Sequence, residues 1–372
     1  MKLTIERASL LKALSHVQSV VERRTTIPIL SNVLLRAGSG TLALSATDMD
    51  LEIVEEVPAR IDGDGRTTAP AHTLYDIVRK LREGAQVELE TVGERNEMVL
   101  RSGRSTFTLA CLPPEDYPVM TGTELPYHFA LTAAELRTLI DRTRFAISTE
   151  ETRYYLNGVY LHATKNNEVP VLRSVATDGH RLARVEMVLP EGAAGMPGVI
   201  VPRKTVLELR KLVEEGDDEV QVALGDSKIR CAIGAAALTS KLIDGTFPDY
   251  DRVIPTGNDK MLEVPCKEFA EAVDRVSTIS TERSRAVKLA IDRGSLTVSA
   301  TSPENGTAIE ELEVRYQSTP IEIGFNSRYL LDITEQIEGE AALFAMSDAA
   351  SPTVVRDSAD ASALYVLMPM RV

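Results

Sequence analysis

The chain alternates short strands with one-sided helices. Leu74, Ile77, Val78 and Leu81 follow the i, i+3, i+4, i+7 spacing of an amphipathic helix, and Leu10 begins a similar series. Between such segments, short runs alternate apolar with polar residues and are interrupted by Gly, Asp and Pro, which predicts antiparallel strands joined by hairpins. Six helices are predicted, over 6–24, 70–83, 132–148, 202–214, 265–285 and 326–338. The chain is therefore expected to be an α+β protein.

The same order of strands and helices occurs three times. The phrases LALSATDMDLEIVEEV (42–57), LRSVATDGHRLARVEM (172–187) and LTVSATSPENGTAIEELEV (296–314) share an Ala-Thr pair. That pair begins at residues 46, 176 and 300, so the copies are spaced by 130 and then 124 residues. Such a spacing is that of a domain rather than of a solenoid repeat. We expect three similar domains in tandem, at 1–122, 128–254 and 255–372, each with antiparallel sheets and two helices on one sheet face.

Charge is distributed unevenly along the chain. The 372 residues carry a net charge of −14, but the six predicted helices together carry +4, which leaves −18 on the strands and loops. An acidic protein in general avoids DNA, because DNA affinity rests on Lys and Arg neutralising phosphates. If the helices line one surface, that surface is basic and suits loose phosphate binding without base readout. The alternative is that these are ordinary solvated faces with i, i+4 ion pairs, and the third copy, whose helices are neutral or negative, favours it.

Several classes of protein are disfavoured by what the sequence lacks. Cys111, Cys231 and Cys266 lie far apart without paired spacing, which predicts neither a disulfide framework nor a zinc site. The N-terminal segment MKLTIERASLLKAL does not have the pattern of a signal peptide, and no apolar run approaches the length of a membrane span. We therefore expect a cytoplasmic protein without metal or cofactor, and no membrane association.

The phrase TDGH is the one candidate for catalysis. Asp178 and His180, two apart on a predicted strand, would share a face, and Arg181 follows them. No nucleophile motif, HExxH or phosphate-binding GxxxxGK[ST] accompanies them, so we expect no enzyme activity. Two alternatives remain: an enzyme on a repeated scaffold with these three residues as its site, or an oligomeric scaffold that has no role on DNA.

Seven phrases distributed over the whole chain resemble the bacterial beta sliding clamps, the beta subunits of DNA polymerase III. They are TIPILSNVLL (26–35), RYYLNGVYL (153–161), VATDGHRLA (175–183), VIVPRK (199–204), LTSKLIDGTFPDYDRVIP (238–255), IEIGFN (321–326) and YVLMPMRV (365–372). The resemblance implies a head-to-tail homodimer that forms a six-domain ring, with sheets outside and twelve helices around a central channel. Such a ring encircles duplex DNA regardless of sequence and is not an enzyme.

The resemblance also implies partners and their sites. The partners would be double-stranded DNA, the replicative polymerase catalytic subunit, a clamp loader complex and other proteins of repair and replication control that carry a clamp-binding motif, all at the nucleoid. A hydrophobic peptide pocket would form from Leu156, Thr177, Gly179, His180, Arg181, Leu182, Pro248, Arg252, Val253, Val366, Met368, Pro369, Met370 and Arg371. Aliphatic and Met side chains suit Leu or Phe anchors of varied peptides. The alternative is that Val366–Met370 is simply the last core strand. The family pattern is altered nearby, at Ala350 and Pro352.

A second set of residues is implied to contact DNA. It comprises Arg24, His72, Glu150, Arg153, Tyr154, Tyr155, Arg203 and Lys204. Tyrosines beside an arginine suit stacking on exposed bases, although alternation along a predicted strand would leave only one of the two free. His72 and Glu150 stand where Arg and Gln are common, which weakens the attraction to DNA. For Arg203 and Lys204 the alternative is an ordinary solvated helix start.

The subunit joint is the third set that the resemblance implies. The strand at Arg104–Phe107 would pair with the third domain of the partner near Ile279 and residues 300–305, which include Glu304. Family members often carry an acidic run there, whereas this chain reads PENGTAIEE. Such a head-to-tail contact closes into a ring only when the rotation per subunit is right.

Overall fold

The computed structural model describes residues 1–93, 96–120, 122, 124–213, 218–281 and 285–371. The ends of two predicted helices, residue 214 and residues 282–284, lie outside the described residues, as does residue 372. The chain forms two compact units. The first contains 1–137, 190–197 and 204–242, and the second contains 138–189, 198–203 and 243–372.

The first unit contains two antiparallel sheets. The five-stranded sheet has the order β5-β1-β7-β8-β9. Its strands are β1 (Lys2–Glu6), β5 (Arg60–Gly63), β7 (Gln86–Val92), β8 (Glu97–Ser102) and β9 (Ser105–Ala110). The eight-stranded sheet has the order β10-β15-β16-β17-β4-β3-β2-β6. Its strands are β2 (Asn32–Gly38), β3 (Thr41–Thr47), β4 (Leu51–Pro58), β6 (Gly65–Pro70), β10 (Tyr127–Thr132), β15 (Glu219–Leu224), β16 (Lys228–Ile233) and β17 (Ala236–Lys241).

The second unit also contains two antiparallel sheets. The nine-stranded sheet has the order β14-β11-β12-β13-β26-β25-β24-β18-β22. Its strands are β11 (Gly158–Asn166), β12 (Val169–Thr177), β13 (Arg181–Val188), β14 (Val199–Pro202), β18 (Lys260–Pro265), β22 (Arg315–Tyr316), β24 (Ala341–Met346), β25 (Thr353–Asp357) and β26 (Ala363–Leu367). The four-stranded sheet has the order β21-β20-β19-β23. Its strands are β19 (Ala286–Asp292), β20 (Ser295–Ser302), β21 (Gly306–Glu313) and β23 (Ile321–Asn326).

All six predicted helices are present and each is shorter than its predicted window. They are α1 (Arg7–Val17), α2 (Ala71–Lys80), α3 (Ala133–Arg144), α4 (Arg203–Leu212), α5 (Cys266–Ser277) and α6 (Ser327–Thr334). After α1 the amides of Ser19, Val20 and Val21 bond to carbonyls three residues back, so the chain tightens into turns although its apolar spacing continues. Short 3-10 helices occupy Pro28–Ser31, Pro114–Asp116, Glu151–Leu156 and Tyr250–Val253.

The helices bury their apolar faces as the spacing predicts. In α1, Leu10, Leu14 and Val17 are fully buried, and α1 packs against α2 in the first unit as α5 packs against α6 in the second. The α6 helix starts with a side-chain cap, because the Asn326 side chain accepts a hydrogen bond from the Arg328 amide at 3.0 Å. No helix among the described residues is both long and apolar enough to cross a membrane.

Two cross-strand pairings join successive copies of the repeat within single sheets. In the first unit β4 pairs with β17, and Glu52 lies opposite Thr239. In the second unit β13 pairs with β26, and Leu182 lies opposite Val366. These two residue pairs occupy corresponding places in the repeat, but Glu52–Thr239 is polar and Leu182–Val366 is apolar. At this position of the repeat, the second junction therefore presents an apolar pair where the first presents a polar one.

Candidate peptide pocket and nucleic-acid interface

An apolar cluster lies on one face of the nine-stranded sheet. Alternate residues of neighbouring strands share a face, and Leu182, Val366 and Val354 form one cross-strand row on it. The buried members are Leu156, Val175, Leu182, Ile200, Phe247, Tyr250, Val354, Leu364 and Val366, with Tyr155, Tyr160, Ile243, Ile254 and Ala345 packed against them. Three predicted pocket residues, Leu156, Leu182 and Val366, thus belong to this cluster.

Four other predicted pocket residues have exposed side chains. Val253 is 51% exposed and Met368 is 40% exposed, and Pro248 is exposed as well. The Arg252 side chain is 83% exposed and its Nε lies 2.7 Å from Asp249 Oδ2. Large apolar side chains that remain in contact with water often mark an interaction surface. A peptide that covered Val253 and Met368 would remove that exposed surface.

In the phrase TDGH, Thr177 ends β12 and residues 178–180 form the turn to β13, so the prediction that Asp178 and His180 lie on one strand is wrong. Gly179 adopts φ +88°, in the left-handed region that favours glycine. Asp178 Oδ1 accepts hydrogen bonds from the amides of His180, at 2.9 Å, and Arg181, at 3.0 Å. Thr177 Oγ1 donates to the Arg181 carbonyl at 2.7 Å. Asp178 and His180 lie in a turn and so do not share a strand face as a dyad would. The Asp178 carboxylate instead stabilises the turn.

Arg181 contacts a different set of side chains from the apolar cluster. Its guanidinium lies 4.2 Å from the centre of the Tyr329 ring and 5.2 Å from that of Phe145. It also forms ion pairs with Asp178, at 3.1 Å, and with Asp332. Its role in a peptide pocket stays a prediction, and the contacts show that it also fixes the turn that follows Thr177.

The C-terminal residues leave the sheet after β26. Val366 lies inside β26, whereas the Met368 amide donates to the His180 carbonyl at 2.9 Å and the Met370 amide to the Gly324 carbonyl at 2.8 Å. Pro369 is half-buried and Arg371 is exposed. The alternative of a plain core strand therefore describes Val366 but not the residues beyond Leu367. Of the two altered positions nearby, Ala350 is exposed and Pro352 is half-buried.

A polar network that the sequence did not indicate lies beside the cluster. Tyr250 Oη is 2.8 Å from His162 Nε2 and accepts a hydrogen bond from Arg173 at 3.1 Å, while Arg173 Nε donates to Glu186 at 2.7 Å. Burial, followed by the positive charge of Arg173, lowers the pKa of His162. The sequence signal for this network was the i, i+2 spacing of Tyr160 and His162, which places both rings on one face of β11. Their rings are stacked there, 4.6 Å apart.

Two residues predicted to contact DNA, Lys204 and His72, form hydrogen bonds with the chain segment that follows α1. Lys204 Nζ donates to the Val20 carbonyl at 3.0 Å and to Asp48 Oδ2 at 2.5 Å. Burial opposes the charged form of Lys204, but the hydrogen bond and charge of Asp48 outweigh it and raise the pKa of Lys204. His72 Nε2 lies 3.0 Å from the Val21 carbonyl oxygen.

His72 is also bonded through its second ring nitrogen, because Nδ1 lies 2.8 Å from Gln18 Oε1. Both its nitrogens are therefore engaged within the first unit. Arg24 follows this anchored segment and is exposed, and no ion-pair partner is present for it among the described residues. The contacts of His72 and Lys204 position the segment that presents Arg24, and direct contact of any of the three with DNA stays a prediction.

In the second unit, Arg153 forms an ion pair with Glu150, three residues before it. Arg153 Nε donates to Glu150 Oε2 at 2.9 Å and its terminal nitrogen donates to Glu150 Oε1 at 2.6 Å. The hydrogen bonds from Arg153 lower the pKa of Glu150. Arg203 is exposed, and its amide donates to the Asn157 carbonyl at 2.9 Å.

The two tyrosines lie in the 3-10 helix Glu151–Leu156, so their prediction as strand residues is wrong. A 3-10 helix turns about 120° per residue, which separates adjacent side chains without strict alternation. Tyr154 is 53% exposed, whereas Tyr155 is half-buried against the apolar cluster. Their rings are 5.8 Å apart and nearly perpendicular. Tyr154 therefore has the more accessible ring face for a base to stack on.

The residues predicted at the subunit joint lie at two open sheet edges. Arg104 is exposed in the β8–β9 turn and Phe107 is half-buried in β9, the edge strand of the five-stranded sheet. Glu304 is exposed in the turn before β21, the edge strand of the four-stranded sheet. Half-buried Ile279 accepts a hydrogen bond at its carbonyl from Asn305 at 3.3 Å. Edge strands carry unpaired backbone groups that another chain can pair with.

Comparison with known proteins accounts for the entire chain. Family models described as the DNA polymerase III beta subunit match it with the N-terminal domain at 1–121, the central domain at 130–249 and the C-terminal domain at 251–371. The beta sliding clamp of Caulobacter vibrioides is 58% identical over 372 residues and is covered completely, as is this chain.

Solved structures agree with these matches. A beta sliding clamp of C. crescentus, with polyethylene glycol at a putative beta-motif tethering region, has a TM-score of 0.98 and 57% identity, covering 100% of this chain and 99% of that one. A sliding clamp from Bartonella birtlesii bound to griselimycin has a TM-score of 0.97 and 52% identity, with full coverage of both chains. The fold is thus three tandem clamp domains. The chain belongs to the family of DNA polymerase III beta subunits, the beta sliding clamps.

Proposed function

We propose that this protein is a DNA sliding clamp, a non-catalytic processivity factor that encircles duplex DNA as a head-to-tail ring dimer. The observation that carries this function is the match of all three family domains along the full chain, with 58% identity to a named beta sliding clamp. Its domains would be those expected at 1–122, 128–254 and 255–372. The clamp would act in the cytoplasm, on nucleoid DNA, without a cofactor.

The apolar cluster is the proposed tether for the polymerase. Peptides with Leu or Phe anchors would cover exposed Val253 and Met368 and reach the buried row of Leu182 and Val366. The same site would bind other replication and repair proteins, since an apolar surface with flexible Met side chains adapts to varied sequences. The similar solved clamp with polyethylene glycol at a putative beta-motif tethering region supports the presence of a tethering site in a protein of this fold.

The hold on DNA is proposed to be topological rather than adhesive. Arg24, Arg203 and Tyr154 are exposed. The Arg153 guanidinium is already paired with the Glu150 carboxylate. Weak phosphate contacts of this kind allow sliding, because each is readily exchanged along the backbone. Affinity for DNA is then secondary to closure of the ring.

Ring closure would pair the open edge β9 of one subunit with the open edge β21 of its partner. Phe107 and Arg104 would meet the region of Ile279 and Glu304, and both pairs lie at or beside those edges. The joint would contain less negative charge than in family members with an acidic run at this place, because the turn and strand here read PENGTAIEE. A clamp loader would open one such joint to admit DNA.

Sedimentation combined with primer extension tests the function. We expect a dimer by analytical ultracentrifugation, and longer products from the replicative polymerase on a circular primed template when this protein and a clamp loader are both added. Primer products of unchanged length would contradict the proposed function. If His180→Ala abolished a measurable turnover, the alternative of an enzyme would be supported instead. A dimer that left the primer products unchanged in length would favour the alternative of an oligomeric scaffold without a role on DNA.

A further inference from the structure

A second groove lies on the same sheet face, next to the apolar cluster. It has a volume of about 680 Å³ and is lined by residues of β13, β18, β24, β25 and β26 and by the segment from Ile254 to Asn258. Its floor includes Leu343, Ala345, Val354 and Leu364. The last two of these are also members of the apolar cluster, so the groove and the proposed peptide pocket are continuous.

The strand register shows how the two sites connect. Leu182 lies opposite Val366, Val366 opposite Val354, Val354 opposite Ala345, and Ala345 opposite Met261. This row of apolar side chains runs across five strands without a charge. A peptide bound at Leu182 and Val366 therefore has an apolar path into the groove.

Arg184 in this groove is a half-buried cation whose hydrogen bonding is incomplete. It lies opposite Leu364, and its side chain is 17% exposed. Its Nε is buried and has no hydrogen-bond partner among the described residues. The nearest carboxylate oxygen paired with it, Asp251 Oδ1, is 3.8 Å away, too far for a hydrogen bond. A buried donor without an acceptor is rare and costly in native proteins.

The surroundings of Arg184 add to this deficit of negative charge. Burial, followed by repulsion from Arg173, lowers the pKa of Arg184. The other carboxylate nearby, that of Glu186, is engaged by Arg173 at 2.7 Å. Asn258, also in the groove, directs its amide at the carbonyls of Ala345 and Pro352. No group of the groove among the described residues thus supplies the acceptor that Arg184 lacks.

A second cation lines the groove on the other side of Leu364. Arg356 is exposed on β25, and no side-chain partner is present for it among the described residues. It lies opposite Leu343, while Arg184 lies two strands away on β13. Two strand spacings place the two backbones about 10 Å apart. Two basic residues with apolar floor between them match an extended peptide that carries both apolar and acidic side chains.

We propose that this groove extends the peptide pocket and binds an acidic side chain next to the apolar anchors of a partner peptide, with Arg184 as the carboxylate receptor and Arg356 as an outer contact. This specificity rests on the proposed function, because it needs the anchors to bind at Leu182 and Val366. The carboxylate would pair with the guanidinium of Arg184 and would offset its positive charge. Partners would then be selected by charge as well as by apolar fit.

Fluorescence anisotropy with four labelled peptides tests this specificity. All four share Leu-Phe anchors. One pair carries Glu-Glu or Gln-Gln before the anchors, and the other carries the same residues after them. We expect the Glu peptide of one pair to bind roughly tenfold more tightly than its Gln twin. Arg184→Gln should remove that preference, and Arg356→Gln, at an exposed site, should reduce it.

The control is Arg293→Gln, which removes an exposed arginine in the β19–β20 turn of the same unit. It should retain the full preference. Equal binding of the Glu and Gln peptides in both pairs would overturn the carboxylate receptor and leave the clamp function intact. A preference that survives both Arg184→Gln and Arg356→Gln would also overturn it. Failure of all four peptides to bind would contradict the peptide pocket itself.

Discussion

Arg153 and Glu150 form a two-point ion pair, with Nε to Oε2 at 2.9 Å and the terminal nitrogen to Oε1 at 2.6 Å. The pair stands beside Tyr154, the more exposed of the two adjacent tyrosines. A phosphate that approached Arg153 would have to displace Glu150 and would meet its negative charge. In the proposed DNA interface, Glu150 would therefore compete with phosphate for the Arg153 guanidinium.

Glu150→Gln should strengthen DNA binding. Removing the carboxylate frees the charge of Arg153 for phosphate, and we expect roughly threefold tighter binding to a labelled primer–template at low salt, an effect that shrinks as salt rises. Anisotropy titration measures it. The matched control is Glu151→Gln, which removes the same charge from the next residue, an exposed one. Equal gains from both substitutions would show that only net charge matters and that the ion pair does not compete.

Lys204→Met should destabilise the first unit, whereas Arg203→Gln should not. Lys204 bonds to Val20, Glu22 and Asp48, while the Arg203 side chain is exposed. Allowing for solvent screening, we expect the loss of about 1 kcal/mol from the free energy of unfolding. Urea titration followed by circular dichroism measures this. Equal stability of the two variants would contradict the anchoring role of Lys204.

The contribution of Lys204 also has a defined dependence on pH. Its pKa in the folded state is raised above the ordinary value of 10.5. The stabilisation is therefore complete below about pH 10 and is lost as the pH rises through the raised pKa. The stability difference between the native chain and Lys204→Met should be constant from pH 7 to 9 and should shrink only at higher pH.

His162 should make the second unit less stable in mild acid. Burial lowers the pKa of His162, so the unfolded chain binds a proton more readily than the folded one as the pH falls below the ordinary value of 6.5. The melting temperature of the native chain should drop more between pH 7.5 and 5 than that of His162→Asn, by about 1–2 °C. Parallel melting curves for the two proteins across this range would contradict a depressed pKa at His162.

The three cysteines should be unreactive in the folded protein. Cys111, Cys231 and Cys266 are all free and buried. Burial raises the pKa of Cys231 to about 12 and that of Cys266 to about 11, and it raises the pKa of Cys111 as well. Because the thiolate is the reactive form, labelling by a disulfide reagent at pH 8 should be roughly a hundredfold slower than for free cysteine. Denaturant should expose all three, and fast labelling without it would contradict their burial.

The helices and the threefold repeat could be predicted because they rest on local periodicity. The six helices all appear, and each ends early since spacing alone does not detect a helix tightening into i→i−3 turns, as after Val17. The antiparallel sheets follow from the alternation of strand residues such as Leu51–Pro58. The turn at Asp178–Gly179 was wrongly predicted as strand although Asp-Gly is itself a turn signal.

The site was predictable only where resemblance or local pattern reached it. Leu182 and Val366 meet across strands separated by 184 residues in sequence, and only the repeat hints at that pairing. The partners of Lys204, namely Glu22 and Asp48, are distant in sequence and belong to another copy of the repeat. The incomplete hydrogen bonding of Arg184 depends on its exact neighbours, Arg173 and Asp251, and no sequence pattern encodes it.

The proposed topological hold is tested most directly by retention on two forms of one DNA. The clamp is loaded with a clamp loader onto a nicked circular plasmid, and half of the sample is then cut once with a restriction enzyme. Gel filtration separates DNA-bound from free clamp. A ring that encircles DNA without tight contacts should stay with the circle and leave the linear form through its ends. Equal retention on circular and linear DNA would contradict encirclement as the basis of processivity.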